Sequence, residues 1–505
     1  MKSIKIKTFR SSELNTEFTN IISIEIENAP FDSGAFGEVY FCNSINGKSI
    51  SAPQVLKIFI DDGTGSAERG IKTIYKLQEK IISHNIELKL KKEISIENIN
   101  ALRALPQFSY EGELNGKRVI GYSANLLKKG EWINFGNIFN EEDLLKRKKL
   151  RTNFYNLPVE HRMKFAHDLA EGFSHLQKMN FIYADLNPQN FFVNEREAKL
   201  CLIDFEGGAV NENPETYGKP GQWLAPEIQK QLINGPNLIK VDLNTDTWAV
   251  AIGIHYMLFP FHPLSYLTSL GNREIEEYFK KYQWPEIDKN SKLFNISNSR
   301  AYDWYINKLN SQIPKELISA FSETINKGYN NPNRRLSYKQ WILAITGLMK
   351  PPKITSFIAS NHDILEGNLV KLSWEVDSST HTILINNGVG DVSSKTEIEI
   401  KPTKNSKYTL RAIGHFGAIE SSIEIKVTPA PKFKELKSER GKIKNGDSTA
   451  LIWEIENISE GRLVGLEKDP IIITKSGIQE IKPNQTTTYK FEVTALDGKT
   501  IVEKQ

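Results

Sequence analysis

Apolar and polar residues alternate in short runs over about residues 18–60. Ile21 to Ile26 has the two-residue period of a half-buried strand. Two further strand-like runs follow, Asp32-Ser33-Gly34-Ala35-Phe36-Gly37-Glu38-Val39-Tyr40-Phe41 and Gln54-Val55-Leu56-Lys57-Ile58-Phe59. From Ser66 to Ile82 the period lengthens to that of a helix, with Ile71, Ile74, Leu77 and Ile81 on one face. After a polar stretch rich in lysine and isoleucine, Val119 to Leu126 reads as a strand running into a loop. Arg162 to Lys178 predicts a second amphipathic helix, carrying Phe165, Leu169, Phe173 and Leu176. The longest apolar stretch, Trp248 to Phe261, includes His255 and is too short to span a bilayer, so it predicts a buried helix.

Beyond Leu348-Met349-Lys350-Pro351-Pro352 the pattern becomes alternating strands with polar turns, and it repeats. Gly367, Leu372-Ser373-Trp374-Glu375-Val376, Lys401-Pro402 and Tyr408-Thr409-Leu410 recur as Gly446, Leu451-Ile452-Trp453-Glu454-Ile455, Lys482-Pro483 and Tyr489-Lys490-Phe491. The tryptophans lie 79 residues apart and the tyrosines 81, the period of a small β-sandwich in which a mid-strand tryptophan packs between the sheets.

Composition narrows the partners. The 505 residues carry 65 basic and 61 acidic side chains, a net charge of +4, and nothing in that balance favours nucleic acid or an anionic membrane. The basic run Lys146-Arg147-Lys148-Lys149 has no interleaved aromatics and reads as a solvated helix face. Cys42 and Cys201 make no disulfide framework, and each lies in a strand-like run as a buried apolar residue. The opening Met1-Lys2-Ser3-Ile4-Lys5 has no apolar core of signal-peptide length, and a cytoplasmic location is expected.

Three local features carry candidate chemistry. The first is Asp185, with Asn190 five residues on and Asp204 closing the apolar run Leu202-Ile203. A carboxylate to orient a hydroxyl, with an amide and a second carboxylate for magnesium, suits phosphoryl transfer; a plain turn between helix and strand explains the same residues. The second is the pair Gly34 and Gly37 flanking Ala35 and Phe36, which makes either a turn whose N–H groups meet a polyphosphate or an ordinary hairpin. The third is Lys57, in the middle of an apolar strand, which needs an anion or a route to solvent. Glu68 and Glu79, both on the helix that follows, are open as its partner, although a solvated helix face suits each of them better.

In this order the motifs resemble the eukaryotic-type protein kinase family over roughly residues 18–348. Gly34-Ala35-Phe36-Gly37-Glu38-Val39 is similar to the glycine-rich loop, and Lys57 to the phosphate-anchoring lysine of the third strand. Asp185 and Asn190 match the catalytic-loop base and the metal-binding asparagine, and Asp204 the magnesium-binding aspartate. Farther on, Ala225-Pro226-Glu227, Asp246-Thr247-Trp248 and Asn331-Pro332-Asn333-Arg334-Arg335 match later motifs, and the resemblance makes Arg335 the partner of Glu227. The tail resembles bacterial immunoglobulin-like repeats.

The departures are specific. Asp32 stands at the first family glycine, Tyr183-Ala184 at the His-Arg pair, and Asn187 at a catalytic-loop lysine. Glu206 replaces the small residue of Asp-Phe-Gly in Asp204-Phe205-Glu206-Gly207, where it either adjusts metal affinity or faces solvent. Such a set is more similar to divergent bacterial kinases than to animal ones.

The expectation is a multidomain chain, an α+β two-lobed protein kinase-like fold followed by two all-β immunoglobulin-like sandwiches. Boundaries are expected at 1–126 and 127–348 for the two lobes, and at 353–429 and 431–505 for the repeats. The resemblance implies ATP and magnesium as cofactors, with Gly34, Ala35, Phe36, Gly37, Val39 and Lys57 on the nucleotide and Asn190 and Asp204 on the metal. Protein substrates bearing Ser or Thr are implied, with a further protein partner at the repeats and neither nucleic acid nor membrane. Two alternatives stand beside this: a pseudokinase scaffold gated by nucleotide, and a small-molecule kinase of the aminoglycoside-phosphotransferase type. Ala225-Pro226-Glu227 and Arg335 speak against the second.

Overall fold

Strands dominate the first part of the chain. In the computed structural model β1 (Lys2–Ser11), β2 (Ser23–Ile26), β3 (Asp32–Gly34), β4 (Gly37–Ile45), β5 (Gln54–Phe59), β6 (Phe108–Leu114) and β7 (Lys117–Asn125) form one sheet in the order β2-β1-β6-β7-β5-β4-β3. Because β2 also pairs with β4, six of these strands close on themselves, a device that removes exposed sheet edges. Ile4, Ile24, Leu56, Phe108 and Tyr110 pack inside. The alternation placed the first strand near residue 18. The structure adds β1, where only Ile4 is fully buried beneath a lysine-rich outer face, so its period is weak.

The structure describes all residues except 35–36, 61–62, 211–222, 235–238, 260, 268–271, 287–301, 308, 310–314, 378, 415 and 467–468, and it divides the chain into two compact units, Met1–Met349 and Lys350–Gln505.

Helix α1 (Ser66–Leu90) packs on the barrel and runs well past Ile82. Its buried face continues through His84, Asn85 and Leu88, two of them polar, which hides the apolar period that marks its first half. Then come β8 (Ile133–Asn134), α2 (Asn137–Asn140), α3 (Leu144–Tyr155) and α4 (Val159–Lys178). Asp143 caps α3, its carboxylate accepting from the N–H groups of Leu145 and Lys146. The centre of this region is α4, against which pack α6 (Thr245–Leu258) and the helix Tyr338–Leu348. Every residue of α6 is buried, so it shows no polar face. Among the described residues no helix is long and apolar enough to cross a membrane.

The second unit holds two sandwiches. In the first, strands Ile354–Ala359, Val370–Val376 and Glu397–Ile400 form one sheet. Asp363–Leu365, Gly417–Thr428, Ser406–Gly414, Thr380–Ile385 and Gly390–Asp391 form the other. In the second, Lys432–Ser438, Thr449–Glu456 and Ser476–Ile481 face Ile471–Ile472, Ile458–Val464, Lys490–Ala495 and Ile501–Lys504. Trp374 and Trp453 lie in the two cores, and Trp453 meets Phe491 of the opposite sheet at 5.6 Å between ring centres. This is the placement the repeat period predicts.

Candidate active site

Between the barrel and the helical part lies a cleft of about 280 Å³. Gly34, Val39, Val55 and Ala124 line it from the barrel, and Asn190, Phe192, Ile203 and Asp204 from the other side. Gly37 opens β4 opposite Gly34 of β3, and a Cβ there would come within 2.5 Å of the Ile58 carbonyl oxygen, so only glycine lets β4 approach β5 this closely. Ala35 and Phe36 fall outside the described residues.

Lys57 is on β5, an interior strand flanked by β4 and β7, and it is buried. It does not escape to solvent. Its Nζ lies 2.7 Å from Asp204 Oδ1 and also forms an ion pair with Glu206. Burial works against the charge on this ammonium, but Glu206 and Asp204 outweigh it and hold the group above its ordinary value. Neither helix glutamate takes part: Glu68 pairs with Arg118 at 3.1 Å and Glu79 with Arg10 at 3.0 Å, both on the surface. Nor does Glu206 face solvent, for its side chain is wholly buried.

The loop carrying Asp185 runs from β9 (Phe181–Ile182) to β10 (Phe191–Asn194), which pairs with β11 (Lys199–Leu202). Asn190 donates from Nδ2 to the Asp185 carbonyl (2.8 Å) and to Asp185 Oδ2 (3.1 Å). Asn187, standing at the family lysine, donates from Nδ2 to Asp185 Oδ1 (3.2 Å), while its own Oδ1 accepts from the Gln189 N–H (2.9 Å). It is thus a cap and a brace for Asp185. Burial raises the Asp185 carboxyl above its usual range, against the pull of these two amides.

The loop backbone is anchored from below. Tyr183 N–H and Ala184 N–H donate to the two carboxylate oxygens of Asp246 on α6, at 2.7 and 3.0 Å. Ala184 has φ +66° and Asp204 φ +59°, left-handed conformations that a side chain adopts only when its surroundings impose them. Burial pushes the Asp246 carboxyl up to about 7 despite the two N–H donors. Tyr183 meets Phe205 edge-on at 5.6 Å, and its hydroxyl donates to the Ile203 carbonyl, which ties the two aspartate-bearing segments together.

Residues 32–343, more than half the chain, match the protein kinase domain. The chain belongs to the protein kinase family. Several curated relatives match parts of this kinase. An uncharacterized protein of Ruminiclostridium cellulolyticum is 31% identical over 156 residues, 31% of this chain and 43% of that one. The probable serine/threonine-protein kinase iksA of Dictyostelium discoideum is 23% identical over 282 residues, covering 51% and 26%. Human myosin light chain kinase family member 4 is 30% identical over 134 residues, covering 25% and 30%. The kinase thus spans less than half the length of these relatives.

Nothing in the local sequence gives Tyr122 a role, and the sequence leaves Glu206 open between metal and solvent. The Tyr122 hydroxyl donates to Glu206 Oε2 at 2.9 Å, and Tyr122 itself lines the cleft. The departure of Glu206 from the small residue of the family motif was the one available signal. Arg335 does reach Glu227, with Nη1–Oε1 at 2.9 Å and Nη2–Oε2 at 2.5 Å.

Proposed function

We propose that this kinase uses ATP and magnesium to phosphorylate Ser or Thr hydroxyls of protein substrates, in a reducing, cytoplasmic setting. The observation that carries the reading is the convergence of Lys57, Asn190 and Asp204 on one cleft, with the Asp185 carboxylate hydrogen-bonded to Asn190. The donor set fits the metal: a carboxylate and an amide oxygen are hard ligands of the kind magnesium takes beside nucleotide phosphates. Asn190 and Asp204 would hold it, and when bound it neutralises phosphate charge. Lys57 brings a fixed positive charge to the phosphates. Asp185 orients the substrate hydroxyl and accepts its proton, helped by a carboxyl that burial has made more basic. Val39, Val55 and Ala124 offer apolar walls to the base of the nucleotide.

We place the lobes at 1–126 and 127–348 and the repeats at 353–429 and 431–505. The repeats are assigned to docking of substrate or partner through strand edges or loops. A nucleotide-gated scaffold is the second reading, favoured by Ala184 and Asn187 standing where the family has cations.

The test is incubation with labelled ATP, magnesium and generic protein substrates, wild type beside Asp204→Ala. Label on protein with the wild type alone supports a protein kinase. Label on neither, with ATP binding measured separately, turns the assignment to the scaffold.

A further inference from the structure

We infer that Glu206, braced by Tyr122, is the residue that positions Lys57 for catalysis, and that α1 contributes no carboxylate to this task. The inference rests on the kinase reading above and adds to it a division of labour within Asp204-Phe205-Glu206.

Among the described residues Lys57 has two carboxylate neighbours, Asp204 and Glu206. They are not equivalent. Asp204 lines the cleft and is partly exposed, whereas Glu206 is wholly buried and does not line it. A carboxylate that would also serve a metal at the phosphates divides its charge between the two cations and holds the lysine less firmly than one committed to it alone. Asp204 would share itself with that metal, whereas Glu206, buried and outside the cleft lining, would remain with Lys57.

The surroundings are built for the role. The short turn Phe205–Gly207 sends Phe205 into the core against Tyr183, and Glu206 toward α1. On that face α1 carries Gly70, where an added Cβ would lie 3.2 Å from the Phe59 ring and 3.6 Å from Glu206 Cβ. A side chain at this position would press on the Phe59 ring and lie against Glu206. Lower on the helix, Thr73 Oγ1 donates to the Gly208 carbonyl at 3.3 Å and steadies the strand that follows the turn. The helix therefore supports the carboxylate from behind.

A buried ammonium with one partner removed is left poorly compensated, and the cost falls on the geometry of phosphate contact. The experiment uses the full chain: Glu206→Gln and Tyr122→Phe, beside Glu68→Gln and Glu79→Gln. Readouts are kcat and KM for phosphotransfer, ATP·Mg binding by titration, and thermal unfolding. Glu206→Gln is expected to lower kcat about 10- to 100-fold, with KM for ATP moving less. Tyr122→Phe should lower kcat several-fold in the same sense, and both helix variants should stay within about twofold of wild type. A merely structural role would lower the melting temperature and leave kcat per folded molecule unchanged.

Glu206→Gln within twofold of wild type, or a larger loss from Glu68→Gln or Glu79→Gln, overturns the inference while the kinase assignment stands. If Glu206→Gln does not fold, Tyr122→Phe decides, and an unchanged kcat overturns it. If the wild type transfers no phosphate, the catalytic reading fails and ATP titration decides: weaker binding by Glu206→Gln supports the anchor, and equal binding removes it.

Discussion

Arg335 grips Glu227 with both arms of its guanidinium, 108 residues away in the chain. The same guanidinium lies 5.2 Å from the Trp248 ring centre and donates to the carbonyls of Gly328 and Asn244. Its side chain is wholly buried, so the pair fixes the start of α5 (Pro226–Asn234) to the helical core. Removing Glu227 alone leaves a buried charge without its counter-ion. Glu227→Ala is expected to cost about 3 kcal/mol, toward the lower end for a buried pair because Glu227 keeps some exposure. Denaturant unfolding monitored by tryptophan fluorescence measures it. A double variant with Arg335→Met should lose less than the sum of the two single losses.

Asp185 is held by two amides, neither of which depends on its charge for position. Asp185→Asn is expected to lower phosphotransfer more than about 100-fold while ATP affinity stays within a few-fold. Steady-state kinetics beside nucleotide titration separates the two. Phosphotransfer that survives intact would remove Asp185 from the mechanism.

Ala184 stands where the family carries the arginine that docks a phosphorylated activation segment. Here the position is buried, and its backbone N–H is committed to Asp246. Phosphorylation at Thr216 or Tyr217, both outside the described residues, therefore has no cation to meet at this place. Phosphatase-treated protein should keep its activity, with Thr216→Ala and Tyr217→Phe within about twofold of wild type. A dephosphorylated sample that is inert until modified at either residue would refute this.

His84 on α1 and His175 on α4 share a hydrogen bond, Nε2 to Nδ1 at 2.8 Å, in a buried contact. Burial, then Lys178 and His84, push the His175 imidazole down to about 4. A histidine whose folded value is depressed favours the neutral form. Its contribution to stability is complete above the unfolded value of about 6.5 and is lost as pH falls from there toward 4. At pH 5 the loss from this group is about 2 kcal/mol. Thermal unfolding at pH 7.5 and pH 5 should show a smaller acid shift in His175→Gln than in the wild type.

Much of this kinase can be read from its chain because the relevant signals are local. A turn depends on a few consecutive dihedrals, so Gly34 to Gly37 and Asp185 to Asn190 stand out by residue type. A hairpin or a plain turn explains each of them alone, and only their order along the chain, with Asp204, resembles the family. The period of 79 to 81 residues does the same for the sandwiches, since each copy must fill its core between sheets with the same apolar positions. Elements whose burial is one-sided and apolar, such as the first half of α1, were equally legible. The rest of α1 was not, because His84 and Asn85 occupy its inner face.

The partner of Lys57 was decided only by the fold. Glu68, Glu79 and Glu206 are alike as residue types, and one-dimensional spacing does not choose among them. A buried ammonium is stabilised by whichever carboxylate is desolvated beside it, and that depends on the meeting of β5, β7, α1 and the turn after Asp204. Gly70 leaves the room and Tyr122 supplies the hydrogen bond, so Glu206 takes the place, while the helix glutamates remain with surface arginines.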